Sequence, residues 1–243
     1  MVGRVPVPTD CIGLVERDLS GGRISRETID QIEDFQSTSV EISGLRQDTF
    51  EYFVRKYGNR FRTIRFWKCP RIEDLTPLEV LWEVNSIHFF WNQKATRLWD
   101  LAKTPGLREL SFNNFGHVTD LADLASSPGL ETLAFGNSFT GTSYVNSLEP
   151  VGAIATLKHL AFNPKKIGDN RASPLTKLTQ LRSLHFSNRI FSTEKVAWLA
   201  AHLPEGIESD RLRPYVALLN SQISGKDVMV VGRGKPFLNS TRD

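Results

Sequence analysis

Five histidines, His88, His117, His159, His185 and His202, are the side chains best suited to bind a metal or move a proton near neutral pH. Zinc takes three or four ligands, and no cysteine or carboxylate joins any of these histidines at ligand spacing. Cys11 and Cys69 stand apart from each other, outside any Cys-x-x-Cys pair. No Ser-His-Asp or Cys-His constellation comes with a recognisable local motif, and no two carboxylates are fixed by spacing as an acid–base pair. Gly232-Arg-Gly-Lys235 invites a phosphate-binding reading, but such loops need more glycines and a helix starting straight afterwards. Pro236 and a short apolar run follow instead, so the stretch reads as a hairpin turn. The sequence predicts no catalytic residue, no metal and no cofactor. It does not read as an enzyme.

Whatever these side chains do, a repeat positions them. Leu101-Ala-Lys-Thr-Pro-Gly-Leu-Arg-Glu-Leu-Ser-Phe112 is echoed 23 residues later by Leu124-Ala-Ser-Ser-Pro-Gly-Leu-Glu-Thr-Leu-Ala-Phe135. The first apolar position of the Leu-x-x-Leu-x-Phe frame falls at Phe61, Val84, Leu107, Leu130, Leu157 and Leu181, with spacings of 23, 23, 23, 27 and 24. The second gives Ile64, Ile87, Leu110, Leu133, Leu160 and Leu184, and the third Phe66, Phe89, Phe112, Phe135, Phe162 and Phe186. Two further rows, Leu75-Leu98-Leu121-Leu148-Leu175 and Leu78-Leu101-Leu124-Val151-Leu178, run through the return segments. A phrase repeated at this period announces a solenoid, because one unit cannot bury its apolar face alone and must stack on its neighbours.

These rows resemble the leucine-rich-repeat family from about Phe61 to Ser187, with a degenerate unit before them. The resemblance implies an α/β solenoid with a curved parallel sheet on the concave face, helices or turns on the convex face, and about seven strands. The family's usual asparagine, three residues after the last strand leucine, would fall at Phe115, Ser138, Lys165 and Arg189, none of which is Asn. Asn113, Asn114, Asn137, Asn163 and Asn188 sit one or two positions earlier, which predicts local capping of strand ends rather than a continuous asparagine ladder. The long unit carries four extra residues near Gly136 to Tyr144, on the strand-exit side.

Strand alternation sends the residues between core positions outward, onto the concave side. One outward row is Thr63, Ser86, Glu109, Thr132, His159, Ser183, and the next is Arg65, His88, Ser111, Ala134, Ala161, His185. A third, past the Phe, is Trp67, Phe90, Asn113, Gly136, Asn163, Ser187. The middle strands carry small residues, which relieve crowding where a sheet curves. The first two carry Arg65, Trp67, His88 and Phe90, with Trp91 next. Exposed Trp and Arg are the residues enriched in binding hot spots, so this cluster is one candidate interface. The competing reading makes the same rings cap packing, covered by the Val5-Pro-Val-Pro8 lead or by the N-terminal helix.

Residues 1–37 read as a lead and capping helix, with Ser25 as N-cap, Glu27 in the first turn, and Ile29, Ile32 and Phe35 as its apolar row. Residues 38–188 are the solenoid, opened by a strand at Thr38 to Ile42 and a helix over Thr49 to Tyr57, with Asp48 as cap and Gly58 as C′ stop. Residues 189–243 are a C-terminal cap, a Ser192-capped helix followed by a hairpin over Asp227 to Leu238. Thirty basic against twenty-seven acidic residues leave a net charge of only +3, with the signs interspersed, so no nucleic-acid partner is expected. No apolar run is long enough for a membrane span, and proline and Asp10 interrupt the first residues as a signal sequence. Two cysteines without a framework suit a reducing, cytoplasmic compartment.

The reading that follows is a non-catalytic protein–protein interaction module. It takes a macromolecular partner on its concave face through Arg65, Trp67, His88, Phe90 and Trp91, extended by Glu109 and His159. The alternative is a structural or oligomerisation subunit packing through its aromatic first repeats. Partner identity and oligomeric state are not written in the sequence.

Overall fold

In this computed structural model, residues 9–15, 22–136, 143–187, 189–209, 211–212, 215–219, 226–231 and 236–238 are described. In chain order the elements begin with β1 (Ile12–Leu14), α1 (Arg26–Asp30), β2 (Ser39–Ser43), α2 (Gln47–Tyr57), β3 (Thr63–Trp67), β4 (Ser86–Asn92), β5 (Glu109–Phe115) and β6 (Thr132–Gly136). They continue with β7 (Tyr144–Val145), α3 (Glu149–Gly152), β8 (His159–Asn163), β9 (Lys166–Ile167), β10 (Ser183–Phe186) and α4 (Thr193–His202). Three short strands, β11 (Tyr215–Leu219), β12 (Lys226–Val231) and β13 (Pro236–Leu238), come last. Among the described residues, eight strands form one sheet in the order β1-β2-β3-β4-β5-β6-β8-β10, every neighbour parallel.

The register of that sheet is the register of the sequence frame. Phe66 faces Phe89, and the line continues through Phe112, Phe135, Phe162 and Phe186. All six rings are buried, as are all the leucines of the return rows. Phe66 and Phe89 stack at 4.5 Å, Phe112 and Phe135 at 5.4 Å, and Phe135 and Phe162 at 5.7 Å. Between Phe89 and Phe112 the ring of Phe115 takes a place, meeting both edge-on at 5.4 and 5.8 Å. Each ring removed from water contributes on the order of 1.5–3 kcal/mol, and only a neighbouring coil supplies the other wall. The four extra residues of the long unit leave Phe135 opposite Phe162 undisturbed. They fall beside residues 137–142, which lie outside the described residues. On the far side β7 pairs with β9 in a separate two-stranded ribbon.

On the side of the return segments, α2 has no proline between Leu45 and Tyr57 and forms three turns of α-helix. Pro77, Pro150 and Pro174 stand at the first positions of three later segments, which close after a turn of 3₁₀-helix or a single α-turn, as do the 3₁₀ turns at Leu101–Lys103 and Ala122–Ser126 without a proline there. The Phe50 and Phe53 rings of α2 meet Phe66 edge-on, so the first helix is docked onto the same apolar spine.

Several expectations are corrected. Residues 12–14 are part of the sheet, not of a lead: Ile12 is buried opposite Val40, which brings the count to eight strands instead of about seven. Phe35 leaves the row of Ile29 and Ile32 and stands 48% exposed, because the chain tightens into a 3₁₀ turn over Gln31–Asp34 and then extends. The cap of α2 is not Asp48. Helix α2 starts two residues earlier, and the Thr49 hydroxyl accepts the Arg46 N–H at 3.0 Å. Gly58 keeps right-handed helical dihedrals, so it is no left-handed stop; it is small because an added Cβ would lie 2.4 Å from a methyl of Leu81 in the next coil. Ser25 and Ser192 do cap their helices, accepting the N–H groups of Thr28 and Lys195. At the C-terminal end β11, β12 and β13 make an antiparallel meander, one strand more than a hairpin, and the Gly232–Lys235 turn lies outside the described residues.

The strand exits share one corner. Gly44, Lys68, Trp91 and Asn114 occupy the same frame position, and all four have left-handed backbones with φ of 69°, 51°, 67° and 60°. One residue on, the chain must satisfy its buried carbonyls. There Asn92 donates to Cys69 O at 3.2 Å and Ile72 O at 2.9 Å, and accepts the N–H groups of Lys94 and Ala95. Asn92 stands three residues after Phe89, at the family asparagine position, and the aligned Cys69 donates its thiol to Ile42 O at 3.7 Å. The ladder thus runs Cys69, Asn92, and is then replaced by the packed ring of Phe115. Asn92→Ala strands two buried carbonyls and two N–H groups, and is expected to cost on the order of 3 kcal/mol in urea unfolding, with an unchanged m-value.

Candidate functional site

The outward side of the parallel sheet is where the frame collects side chains that the core does not use. Its middle row runs Gly13, Glu41, Arg65, His88, Ser111, Ala134, Ala161, His185, each residue opposite the next. Because parallel strands sit about 4.8 Å apart, side chains in one row meet sideways. Arg65 Nε donates to Glu41 Oε2 at 3.2 Å, with both side chains 7% exposed. His88 Nδ1 shares a 3.0 Å hydrogen bond with the Ser111 hydroxyl. In the row below, Ser86 donates to Glu109 Oε2 at 3.3 Å, and His159 Nδ1 pairs with Ser183 Oγ at 2.8 Å. In the row above, the Trp67 and Phe90 rings stack at 4.2 Å with their planes 12° apart, and Lys68 Nζ stands 6.0 Å over the indole.

Burial divides this face. Arg65 and His88 are each only 6% exposed, and Glu41, Ser43 and Ser111 are buried with them. Trp67, Phe90, Trp91 and Glu109 are half-buried, while His159 and His185 are exposed. The seven residues chosen from the sequence therefore fall into three groups. Arg65 and His88 form a closed floor, the three rings form a partly covered shelf beside it, and Glu109 and His159 stand nearer the open end. His159 and His185 lie on adjacent strands one diagonal apart, as their frame positions require. Among the described residues no three His, Cys, Asp or Glu side chains gather as metal ligands.

Two features escaped the sequence reading. Glu41, the partner of Arg65, lies 24 residues before it in the same frame, and continuing the outward row one strand back reaches it. The left-handed backbone of Trp91 had no sequence signal, since the aligned corner residues are Gly, Lys and Asn. A bulky residue in that region is strained by roughly 1–2 kcal/mol, and the twist takes Trp91 out of the strict in–out alternation. At the centre of the upper row Gly136 has φ +116°, and a Cβ there would lie 2.5 Å from the Asn163 backbone, so only glycine lets the coils approach.

An eight-stranded parallel sheet of stacked coils, with one apolar spine and outward polar rows in strict register, defines a leucine-rich-repeat solenoid. Among the solved structures similar to this chain are two internalins of Listeria monocytogenes str. 4b F2365. One (inlF) has a TM-score of 0.48 and 19% identity over 70% of this chain and 44% of its own. The other, internalin C2 (inlC2), has a TM-score of 0.46 and 18% identity over 76% of this chain and 73% of its own. The fold assignment rests on the register above, because likeness at this level carries no functional argument. No protein-family model matches the sequence, and no curated protein does either.

The closed floor has measurable consequences. Burial, then the adjacent Arg65 charge, pushes His88 from 6.5 down to about 4, so the imidazole is neutral in the folded chain. An unfolded His88 takes up its proton first as pH falls, so stability is full above about pH 6.5 and declines towards pH 4. Urea midpoints measured across that window are expected to fall in the native chain and to flatten in His88→Gln. Removing one partner of a buried ion pair leaves the other charge uncompensated. Arg65→Ala is therefore expected to cost about 3–5 kcal/mol, most of which Arg65→Met combined with Glu41→Leu restores, as read by chemical unfolding.

Proposed function

We propose that this chain is a non-catalytic protein-recognition module that holds a macromolecular partner on its concave face. The observation that supports it is the lateral coupling of that face. Outward side chains from successive coils are tied to one another in pairs, which fixes a wide, preorganised surface and lowers the entropy lost on binding. Glu109 and His159 offer polar contacts toward the open end, and the Trp67–Phe90 shelf with Trp91 supplies the apolar anchor. Arg65 and His88 act from beneath, holding the surface in shape. A module of this kind needs neither metal nor cofactor, and its two unpaired thiols, Cys11 and Cys69, suit a reducing, cytoplasmic setting. Among the described residues no helix is long and apolar enough to cross a membrane.

Affinity capture from the source-cell lysate tests the reading. The intact chain is expected to retain a discrete partner. Glu109→Ala with His159→Ala is expected to weaken capture at least tenfold, and Trp67→Ala with Phe90→Ala to abolish it, a loss typical of hot-spot residues. Trp82→Ala serves as the control, because this 62%-exposed ring lies outside the strands and their outward rows. Capture that survives both concave variants and fails in the Trp82 variant overturns the proposal.

A further inference from the structure

The chain carries a net charge of +3, yet its outward face is short of cations. Among the described residues of β1 to β10, the three outward rows hold one lysine or arginine, Arg65, and it is buried against Glu41. Lys68 stands at the corner of this closed end, with Nζ over the Trp67 indole. Toward the open end the rows carry the half-buried Glu109 and no basic residue but histidine. The lower row does not stop at β10. Glu208 bridges Ser183 in parallel register, its N–H donating to Arg182 O at 2.8 Å and its carbonyl accepting the Leu184 N–H at 2.9 Å. The row therefore reads Glu109, Thr132, His159, Ser183, Glu208, each residue opposite the next, and Glu208 is exposed. Among the described residues neither Glu109 nor Glu208 has a cation within ion-pair distance. The basic side chains at the strand entries turn elsewhere. Arg108 donates to Pro105 O at 2.8 Å and Leu107 O at 3.1 Å, and Lys158 pairs with Glu131 at 2.8 Å. Ser86 donates to one oxygen of Glu109 and leaves the other open. On the same strand Asn113 is 9% exposed, and its Oδ1 is buried without a donor. Such an acceptor is a standing cost, which a ligand N–H removes once the amide turns outward.

We infer that the partner of this face presents a cationic segment, an extended stretch bearing lysine or arginine laid across the coils along the row from Glu109 to Glu208. The inference rests on the recognition reading above and adds the partner's charge to it. From Glu109 to Glu208 the row crosses four strand spacings, about 19 Å, which an extended chain spans in about six residues. Each carboxylate takes a guanidinium or ammonium at one end of that span, through charge-assisted hydrogen bonds. His159, held by Ser183, lies between them. The Trp67–Phe90 shelf keeps its role as the apolar anchor. Complementary charge of this kind sets partner choice and encounter rate more than raw affinity.

Fluorescence anisotropy on the full chain, with labelled nona-arginine and nona-glutamate as probes, tests the inference. Because the chain as a whole is positive, unspecific attraction favours nona-glutamate, so a preference for nona-arginine reports the face itself. Nona-arginine is expected to bind at low salt, where screening is weak, and Glu109→Gln with Glu208→Gln to weaken it about tenfold. Glu27→Gln with Glu73→Gln removes the same charge from exposed carboxylates outside the outward rows, and binding is expected to stay within about twofold. Should the double variant unfold, Glu208→Gln alone serves, with a loss of about threefold expected. A preference of the native chain for nona-glutamate, or equal losses in the two double variants, overturns the inference. Affinity capture separates it from the reading it rests on. A partner retained equally by the native chain and by Glu109→Gln with Glu208→Gln sinks the charge assignment and leaves recognition standing. Nona-arginine selectivity with no partner captured supports the charge assignment and counts against recognition.

Discussion

A coil of this protein has an apolar stripe on only one side of its strand and cannot dry it alone. The wall that completes it is the equivalent stripe of the next coil, brought in at the strand spacing by backbone hydrogen bonds. From that requirement the rest of the architecture follows. Phe must land on Phe, so Phe112, Phe135 and Phe162 stack face to face within 5.7 Å. The return leucines must follow the same period. An insertion is tolerated only where it leaves the strand register alone, and the 27-residue unit places its surplus at the strand exit for this reason.

The same register that packs the core composes the outer face. Fixing Phe66 opposite Phe89 also fixes Arg65 opposite His88 and Trp67 opposite Phe90. Side chains far apart in sequence therefore meet as lateral pairs, and each pair restrains the rotamers of both members. Glu41 with Arg65, His88 with Ser111, and His159 with Ser183 are the polar cases, and the stacked Trp67 and Phe90 are the aromatic one. Recognition on such a face is by rows crossing several coils. The ends of the rows differ: buried and saturated near β2 and β3, open near β10.

Turning each strand into its return segment sets a second constraint. A left-handed residue is placed at the same corner in four successive coils, and glycine fills it only once. Lys68, Trp91 and Asn114 hold that conformation because the sheet on one side and the capped return on the other leave the chain no alternative. Asn92 and Cys69 show how the buried carbonyls at this corner are met when a side-chain donor is present, and Phe115 shows the apolar substitute.

How much of this was legible in the sequence depends on whether a residue's fate is set by its own row or by a neighbour's. The core was legible, since periods of 23 to 27 residues name Leu110, Leu133 and Phe135 as spine positions and a shared apolar wall is all they need. The outward rows and their order were legible too, because alternation and register carry over from core to surface. Burial on that face was not. Arg65 and His88 look like free binding groups in a row listing, and only packed coils show Glu41 neutralising one and Ser111 holding the other. The strand at Ile12–Leu14, the freed Phe35 and the left-handed Trp91 also had to await the fold. Sequence determined the repeat and hence the sheet, because apolar periodicity alone specifies which faces must meet. Tertiary structure decided which outward groups remain reachable, because exposure depends on what lies over a residue, and a period says nothing about that.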